Sequence, residues 1–152
     1  MIKIRKSETA DTRTCDFAKV TIEILRESSE SHIGDVQNGL RFLADELRIA
    51  GCHHDKTKLS RLCMFHEDFK TGFKTTKWWE MHQSAERHHL KEPEYIPGDV
   101  NLLDIIEMIV DGVMAGMARS GEYRKEEIPD SLLRKAFDNT IELLLNNVQV
   151  EG

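Results

Sequence analysis

Residues 102–117 read LLDIIEMIVDGVMAGM and form the most apolar stretch of the chain. Its apolar side chains recur every three or four positions and cover more than one helical face, which is typical of a helix at the centre of a protein. Asp104 and Asp111 interrupt one side of this helix, and Gly121 is a helix stop signal. The stretch therefore predicts a central helix with acidic residues on one side.

Helical periodicity continues on both sides of this stretch. We interpret five further segments as helices or parts of helices. Three precede residue 71: a first helix from near Asp16 to Glu30, an apolar stripe from Ser31 to a stop signal at Gly51, and Leu59–Lys70. Two follow: a helix that carries Trp78 and is capped by Thr75 or Thr76, and a last helix with Pro129 at its start. No alternating strand pattern with hairpin turns is found anywhere. The sequence predicts an all-α protein, a single-domain bundle of five to six helices.

Length and charge limit the class of protein. The 152 residues suit one domain, which we place at residues 16–150 behind a polar N-terminal arm at residues 1–15. A formal charge of −6 argues against binding to a polyanion, so we expect no polymeric nucleic acid as partner. No run of 18 apolar residues and no apolar leader are found, so we expect no membrane partner and a cytoplasmic location. The three cysteines form no CxxC pair, which favours reduced thiols.

Seven histidines are unusual for this length, and two of them stand in the segment HHDKTK, residues 53–58. The segment follows Gly51 at a junction between predicted helices, where functional side chains are common. A His-Asp pair by itself is a weak signal, because seven His and eleven Asp in 152 residues give roughly half such a pair by chance. The spacing of the other candidates has to support the pair.

The order of these candidates along the chain supports a metal site. His32 lies on the inward face of a helical stripe, and it is followed by His54 and Asp55, by His82, His88 and His89, and by Asp111 in the central helix. Imidazole and carboxylate together suit Zn, Mn, Fe, Co or Ni. Glu107, one turn before Asp111, is its competitor as a ligand. We favour Asp111 because a carboxylate among apolar neighbours is costly to bury without a cation.

The helix that carries His82 has to end early if a later histidine is to reach the same metal. In an unbroken helix, His82 and His89 would be separated by a rise of about 10.5 Å, too far for one ion. We therefore expect the helix to end near Glu86 or Arg87, so that the following turn brings His88 or His89 back toward His82. Which of the two histidines binds is left open.

This order of residues resembles the HD-domain superfamily of metal-dependent phosphohydrolases, which are helical bundles. More narrowly, HDKTK, WWEMH, HHLKEPEY and IEMIVDG are similar to small phage-associated HD-like proteins of unassigned function, and the likeness spans about Ser31–Gly121. The resemblance implies that the protein binds one or two divalent metal ions, which would be Mn, Fe, Co, Ni, Zn or Mg. It assigns His32, His54, Asp55 and Asp111 to a first metal, with Asp55 bridging, and His82 with His88 or His89 to a second.

The resemblance also implies an activity. A small phosphorylated substrate, foremost a nucleotide, would be hydrolysed by a metal-bound hydroxide, as in a nucleotidase, a nucleoside-triphosphate hydrolase or a cyclic-nucleotide phosphodiesterase. Asp55 and Lys58 would be catalytic, since Lys58 follows the His-Asp pair by three residues. Four basic residues near the histidines are candidates for binding phosphate, although each could be ordinary surface charge: Lys58, Arg61, Arg87 and Lys91. Trp78, Trp79 and Tyr95 could stack a base or belong to the core.

Two other functions remain open. The same ligands resemble those of HD-type di-iron oxygenases, and metal identity would separate the two activities. A non-catalytic module that binds a nucleotide or a protein is the alternative outside enzymes. The sequence does not decide whether the chain forms a homo-oligomer.

Overall fold

In the computed structural model, residues 1–123, 125 and 127–151 are described. The elements follow in the order β1 (Ile2–Arg5), a 3-10 turn (Thr12–Thr14), α1 (Ile22–His53), α2 (Lys56–Ser60), α3 (Leu62–Lys70), α4 (Trp78–Ala85), a 3-10 turn (Pro93–Tyr95), α5 (Leu102–Ser120), α6 (Asp130–Leu145) and β2 (Val148–Glu151). Helices dominate, so the prediction of an all-α fold is confirmed. The described residues form six α-helices, within the predicted range of five to six, and one of them, α2, has only five residues.

The longest helix corrects the predicted boundaries. A single helix, α1, runs for 32 residues through both segments that the sequence separated at Ser31, and it continues past Gly51 to His53. It begins at Ile22 rather than near Asp16, because the hydroxyl of Thr21 accepts a hydrogen bond from the backbone N–H of Ile24 at 3.3 Å, as a helix cap does. A glycine inside a helix costs about 1 kcal/mol relative to alanine, which is too little to end it.

The chain divides into two compact units, and the division falls inside α1. The first unit comprises residues 1–46 and 141–152, and the second comprises residues 47–140. In the first unit, β1 pairs with β2 in parallel, with Ile2 opposite Val148. Neither strand was predicted, because each has only four residues and no hairpin turn connects them.

The core of the second unit lies between α5, α6 and the segment before α5. It consists of Leu90, Val100, Ile105, Met108, Leu132 and Ala136. The start of α5 is fixed by Asn101, whose side chain accepts a hydrogen bond from the N–H of Leu103, and by the hydroxyl of Thr140, which accepts one from the N–H of Leu102 at 2.9 Å. These contacts fix the N-terminal half of α5, which carries the acidic residues of the candidate site.

The position of α4 depends on a carboxylate of α3. Asp68 is fully buried and accepts backbone N–H hydrogen bonds from Thr75, Thr76 and Trp78 at 2.7–2.8 Å. The predicted cap at Thr75 or Thr76 is therefore wrong, because Asp68 supplies the acceptor from another helix. The prediction that this helix ends near Glu86 is confirmed, since α4 stops at Ala85 and Glu86 has an extended backbone.

No helix among the described residues is both long enough and apolar enough to cross a bilayer. The three cysteines are free thiols.

Candidate metal centre

Six of the residues singled out in the sequence meet in the second unit as two groups of potential metal ligands. Group 1 comprises His54, His88 and Asp111, and group 2 comprises Asp55, His82 and His89. Within each group, the potential ligand atoms lie within 4.8 Å of one another. His88 lies in group 1 and His89 in group 2, with His82, so both histidines approach potential partners, and which of them binds a metal stays a prediction.

Asp55 joins the two groups. Its Oδ1 lies 3.3 Å from Nε2 of His82 and 3.7 Å from Nε2 of His88, while its Oδ2 lies 3.6 Å from Nε2 of His54. The residue has φ 53° and ψ 23°, in the left-handed region that aspartate tolerates better than most residues. Its carboxylate forms no capping hydrogen bond to α2 and points to the imidazoles instead.

The spacing of the nitrogen and oxygen atoms suits shared metal ions. Ligands bound at about 2.1 Å lie about 3.0 Å apart at the edge of an octahedron and about 3.4 Å apart in a tetrahedron. The Nε2 atoms of His82 and His89 are 2.9 Å apart, and Nε2 of His54 is 3.5 Å from Oδ1 of Asp111. The separations of 2.9 to 3.7 Å are therefore close to those expected between ligands of one ion.

Three buried polar atoms of the site form no hydrogen bond among the described residues: Nδ1 of His88, Nε2 of His88 and Oδ1 of Asp55. The last two lie 3.7 Å apart at the junction of the groups. A buried polar atom without a partner is costly, and native proteins rarely leave one. A cation between these two atoms would satisfy both, so the residues present fit a metal.

Glu107 orients two imidazoles from behind. Its Oε1 accepts a hydrogen bond from Nδ1 of His54 at 2.9 Å and lies 3.2 Å from Nδ1 of His88. A carboxylate behind a histidine fixes the tautomer, so that the opposite nitrogen, Nε2, presents its lone pair to a metal. Glu107, the competitor of Asp111 in the sequence, thus contacts the outer nitrogens, while Asp111 joins the group of ligands.

A second relay orients His82, and the sequence analysis missed it. The hydroxyl of Thr57 donates to Oε1 of Glu86 at 2.5 Å and accepts from Nδ1 of His82 at 2.6 Å. The backbone N–H of Thr57 donates to the same glutamate oxygen at 2.9 Å. Because the relay occupies Nδ1 of His82, the other ring nitrogen, Nε2, lies toward Asp55 and His89. The sequence did offer one sign of this relay: a threonine, Thr57, follows the His-Asp pair of HHDKTK by two residues.

The electrostatics of group 2 favour the protonation states that bind metals. Burial, followed by the neighbouring His88 and His82, lowers the pKa of His89 to about 4. Burial also lowers the pKa of His82, although Asp55 opposes the shift. For Asp55, burial raises the pKa, but the ammonium of Lys58 outweighs it and the net shift is downward. Neutral imidazole and ionised carboxylate are the forms that ligate metals.

Glu107 and His88 form an ion pair that favours the protonated imidazole of His88, so a metal at His88 would have to displace a proton. Burial raises the pKa of Glu107, but hydrogen bonding to His88 and His54 brings it below its usual value. Burial lowers the pKa of His88, yet the carboxylate of Glu107 raises it overall. Glu107 is therefore ionised at neutral pH and can hold its neighbours in one orientation.

His32, the expected upstream ligand, lies in the first unit. It stands on α1, where its side chain is half exposed and its Nδ1 is 3.0 Å from Oδ2 of Asp11. It belongs to neither group of ligands. Its role as a ligand stays a prediction.

The basic residues proposed for phosphate binding have different surroundings. Lys58 contacts the carboxylate of Asp55 at the edge of the site and is partly exposed. Arg87 instead forms a bidentate pair with Asp104, at 2.7 and 2.9 Å, and also contacts Asp99. A phosphate would have to replace these carboxylates, so the structure gives Arg87 a role in anchoring α5. Arg61 and Lys91 are exposed.

Two expectations about burial are corrected. The side chain of Asp111 is 37 % exposed, so the cost of burying it does not explain its place. Trp78 is fully buried and stacks on Phe65 and His82, so it is unable to stack a substrate base. Trp79 is partly exposed and lies beside His89.

Comparison of the chain with models of protein families, with curated proteins and with solved structures finds no match.

Proposed function

We propose that this chain is a metal-dependent phosphohydrolase that binds two divalent ions and acts on a small phosphate ester. One observation carries the proposal: four histidines and two aspartates, from four separate segments, meet around the carboxylate of Asp55. Such a mixed set of imidazole and carboxylate suits Mn, Fe, Co, Ni or Zn. Two ions about 3.5 to 4 Å apart are typical of enzymes that hydrolyse phosphate esters.

The ions would supply a water activated at neutral pH and the positive charge that holds a phosphate. The residues of the chain would keep the ions in place. Asp55 would bridge them, Glu107 would hold His54 and His88, and Thr57 would hold His82. Because these outer contacts orient three of the four rings, the site would need little reorganisation when substrate arrives.

Lys58 is the residue best placed to act on the substrate. Its ammonium contacts Oδ2 of Asp55 and is 40 % exposed, so it lies at the border between the site and solvent. With ions neutralising Asp55, the ammonium would be released to bind a phosphate oxygen or to stabilise charge on the leaving group. Lysine binds phosphate as a point charge, so this role requires proximity but no special angle.

A di-iron oxygenase is the second candidate, and the donor set of four histidines and two aspartates favours it as well. Imidazole and carboxylate are ligands of iron as well as of zinc and manganese. The two activities differ in their requirement for a redox-active metal and O2.

Phosphate release tests the proposal. The purified chain would be loaded separately with Mn, Zn, Mg or, without air, Fe(II), and incubated with nucleotides and simple phosphate esters. His54→Ala and Asp55→Ala should lower the rate at least about 100-fold, because each removes a ligand. His66→Ala is the matched control, since His66 is exposed on α3 and outside both groups.

Three results would contradict the hydrolase. Equal rates for His54→Ala and the unaltered chain would show that the metal centre is not responsible. A product that requires both iron and O2 would favour the oxygenase. A bound nucleotide recovered unchanged from the metal-loaded chain, with no phosphate released from any ester, would favour a binding module.

A further inference from the structure

An apolar pocket of about 430 Å3 opens beside the candidate metal centre in the second unit. Three of its lining residues belong to the centre or orient it: His54, Glu107 and Asp111. Cavities of roughly 300 to 1,000 Å3 are typical of small-molecule sites. The pocket is therefore large enough for the organic group of an ester whose phosphate lies at the metals.

The wall of this pocket follows the helical repeat of α5. Ile106, Val110 and Met114 are spaced four residues apart and form a row beside Glu107 and Asp111, which are also four apart. The three apolar side chains are 41 %, 50 % and 63 % exposed. The facing wall comes from the last turns of α1 and includes Leu47. An apolar row thus runs directly beside the row of acidic residues.

The pocket offers little to a polar ligand. Its described lining contains no lysine, arginine, serine, asparagine or aromatic residue besides the imidazole of His54. Oε1 of Glu107 already accepts a hydrogen bond from His54 and lies 3.2 Å from Nδ1 of His88. The hydrogen-bonding edges of a nucleobase, a ribose or a second phosphate would lose water here without finding partners, which is costly.

We propose that the substrate is a phosphate monoester of an apolar alcohol or phenol, whose organic group packs against Ile106, Val110 and Met114 while its phosphate reaches the metal centre. This inference rests on the proposed function and narrows its substrate class away from nucleotides. Continuity supports it, since His54 and Asp111 belong both to the pocket lining and to the ligands. Apolar burial supplies the affinity, and the metals supply the recognition of phosphate.

Two stable phosphonates test the inference without relying on turnover. Phenylphosphonate and methylphosphonate carry the same metal-binding group and differ in apolar size. We expect the zinc-loaded chain to bind phenylphosphonate at least about tenfold more tightly by calorimetry. In methyl NMR spectra, the Met114 signal should move with phenylphosphonate and stay in place with methylphosphonate. Met117, which lies on the same helix outside the pocket lining, is the internal control.

A matched pair of variants gives the second test. Met114→Trp should fill the pocket and reduce the preference for phenylphosphonate to about threefold or less, with methylphosphonate and zinc affinities unchanged. Met117→Trp should retain the preference, because residue 117 is 53 % exposed and outside the lining.

The results separate failure of this inference from failure of the hydrolase. Equal affinities for the two phosphonates, or tighter binding of adenosine monophosphate than of phenylphosphonate, would overturn the apolar substrate while leaving the metal centre intact. Absence of zinc binding, together with absence of binding by either phosphonate, would overturn both.

Discussion

The Nε2 atoms of His82 and His89 lie 2.9 Å apart, although seven residues separate them in sequence. A continuous helix would place the two residues about 10.5 Å apart along its axis. The end of α4 at Ala85 makes the short distance possible, because the chain turns back before His88. Two imidazole nitrogens at this distance suit ligation of one ion.

Metal content should distinguish a shared ligand from an unshared one. We expect about two ions per unaltered chain, one in His89→Ala, and fewer than one in Asp55→Ala, because Asp55 contacts both groups and His89 belongs to group 2 alone. The measurement is elemental analysis after dialysis against dilute chelator. His53→Ala, beside the His-Asp pair but outside both groups, should keep two ions. Loss of both ions from His53→Ala, or of neither from Asp55→Ala, would contradict the bridging role.

The hydroxyl of Thr57 should affect metal affinity through His82. Thr57→Val keeps the shape of the side chain but removes the contacts to Nδ1 of His82 and to Glu86. We expect zinc affinity to fall about 10- to 100-fold, as for other residues that orient a ligand, with all ligands present. Competition with a fluorescent chelator measures the affinity. Thr57→Ser retains the hydroxyl and should bind zinc nearly as the unaltered chain does; equally weak binding by both variants would show that packing, not the relay, is responsible.

Asp68 should stabilise the fold in a pH-dependent way. Burial raises its pKa, but the backbone N–H groups of residues 75, 76, 78 and 79 outweigh it and hold the pKa below its usual value. A carboxyl whose pKa is lowered by folding contributes stability above its unfolded pKa of about 4 and loses it as pH falls through the folded value. Asp68→Asn should therefore lower Tm at pH 7 by about 5 °C or more.

The pH series of Asp68→Asn is the decisive comparison. The difference in Tm between the unaltered chain and the variant should stay constant from pH 7 to about pH 5 and shrink below pH 4. Thermal unfolding of metal-free protein measures both. Glu67→Gln, an exposed neighbour on α3, should show no such difference. A difference in Tm that increases as the pH falls would contradict the role of an ionised Asp68 carboxylate in stabilising the fold.

Arg87 should matter for stability and not for phosphate affinity. Its bidentate partner Asp104 is buried and also belongs to the capping box of α5. Arg87→Ala leaves that carboxylate without its cation and should cost about 1 to 2 kcal/mol in urea unfolding. The affinity of zinc-loaded protein for methylphosphonate should not change. Lys58→Ala is the contrasting variant, since it should weaken phosphonate binding and leave stability nearly unchanged. If Arg87→Ala also weakened phosphonate binding, the phosphate-binding role predicted from the sequence would be supported instead.

Part of the candidate site could be predicted from the sequence, because the order of its histidines and aspartates resembles the HD-domain superfamily and helical periodicity placed the elements that carry them. The apolar repeat of residues 102–117 predicted α5, and the geometry of one metal required a helix end between His82 and His89. The preference for Asp111 over Glu107 agrees with the arrangement, although the reason given for it, burial, does not. The grouping of ligands follows from where helices begin and end, which short-range patterns encode.

Other features required the tertiary structure, because they depend on partners far apart in sequence. The sequence by itself determined the helical class and named the six residues that meet in the two groups, together with His32, which lies in neither. Only the fold decided that Glu107 contacts outer nitrogens, that Asp68 caps a different helix, and that Arg87 pairs with Asp104. The pairing of Ile2 with Val148 spans nearly the whole chain and leaves no local signal. Hydrogen bonding and burial are properties of neighbours in space, and a linear pattern specifies neighbours only within a few turns.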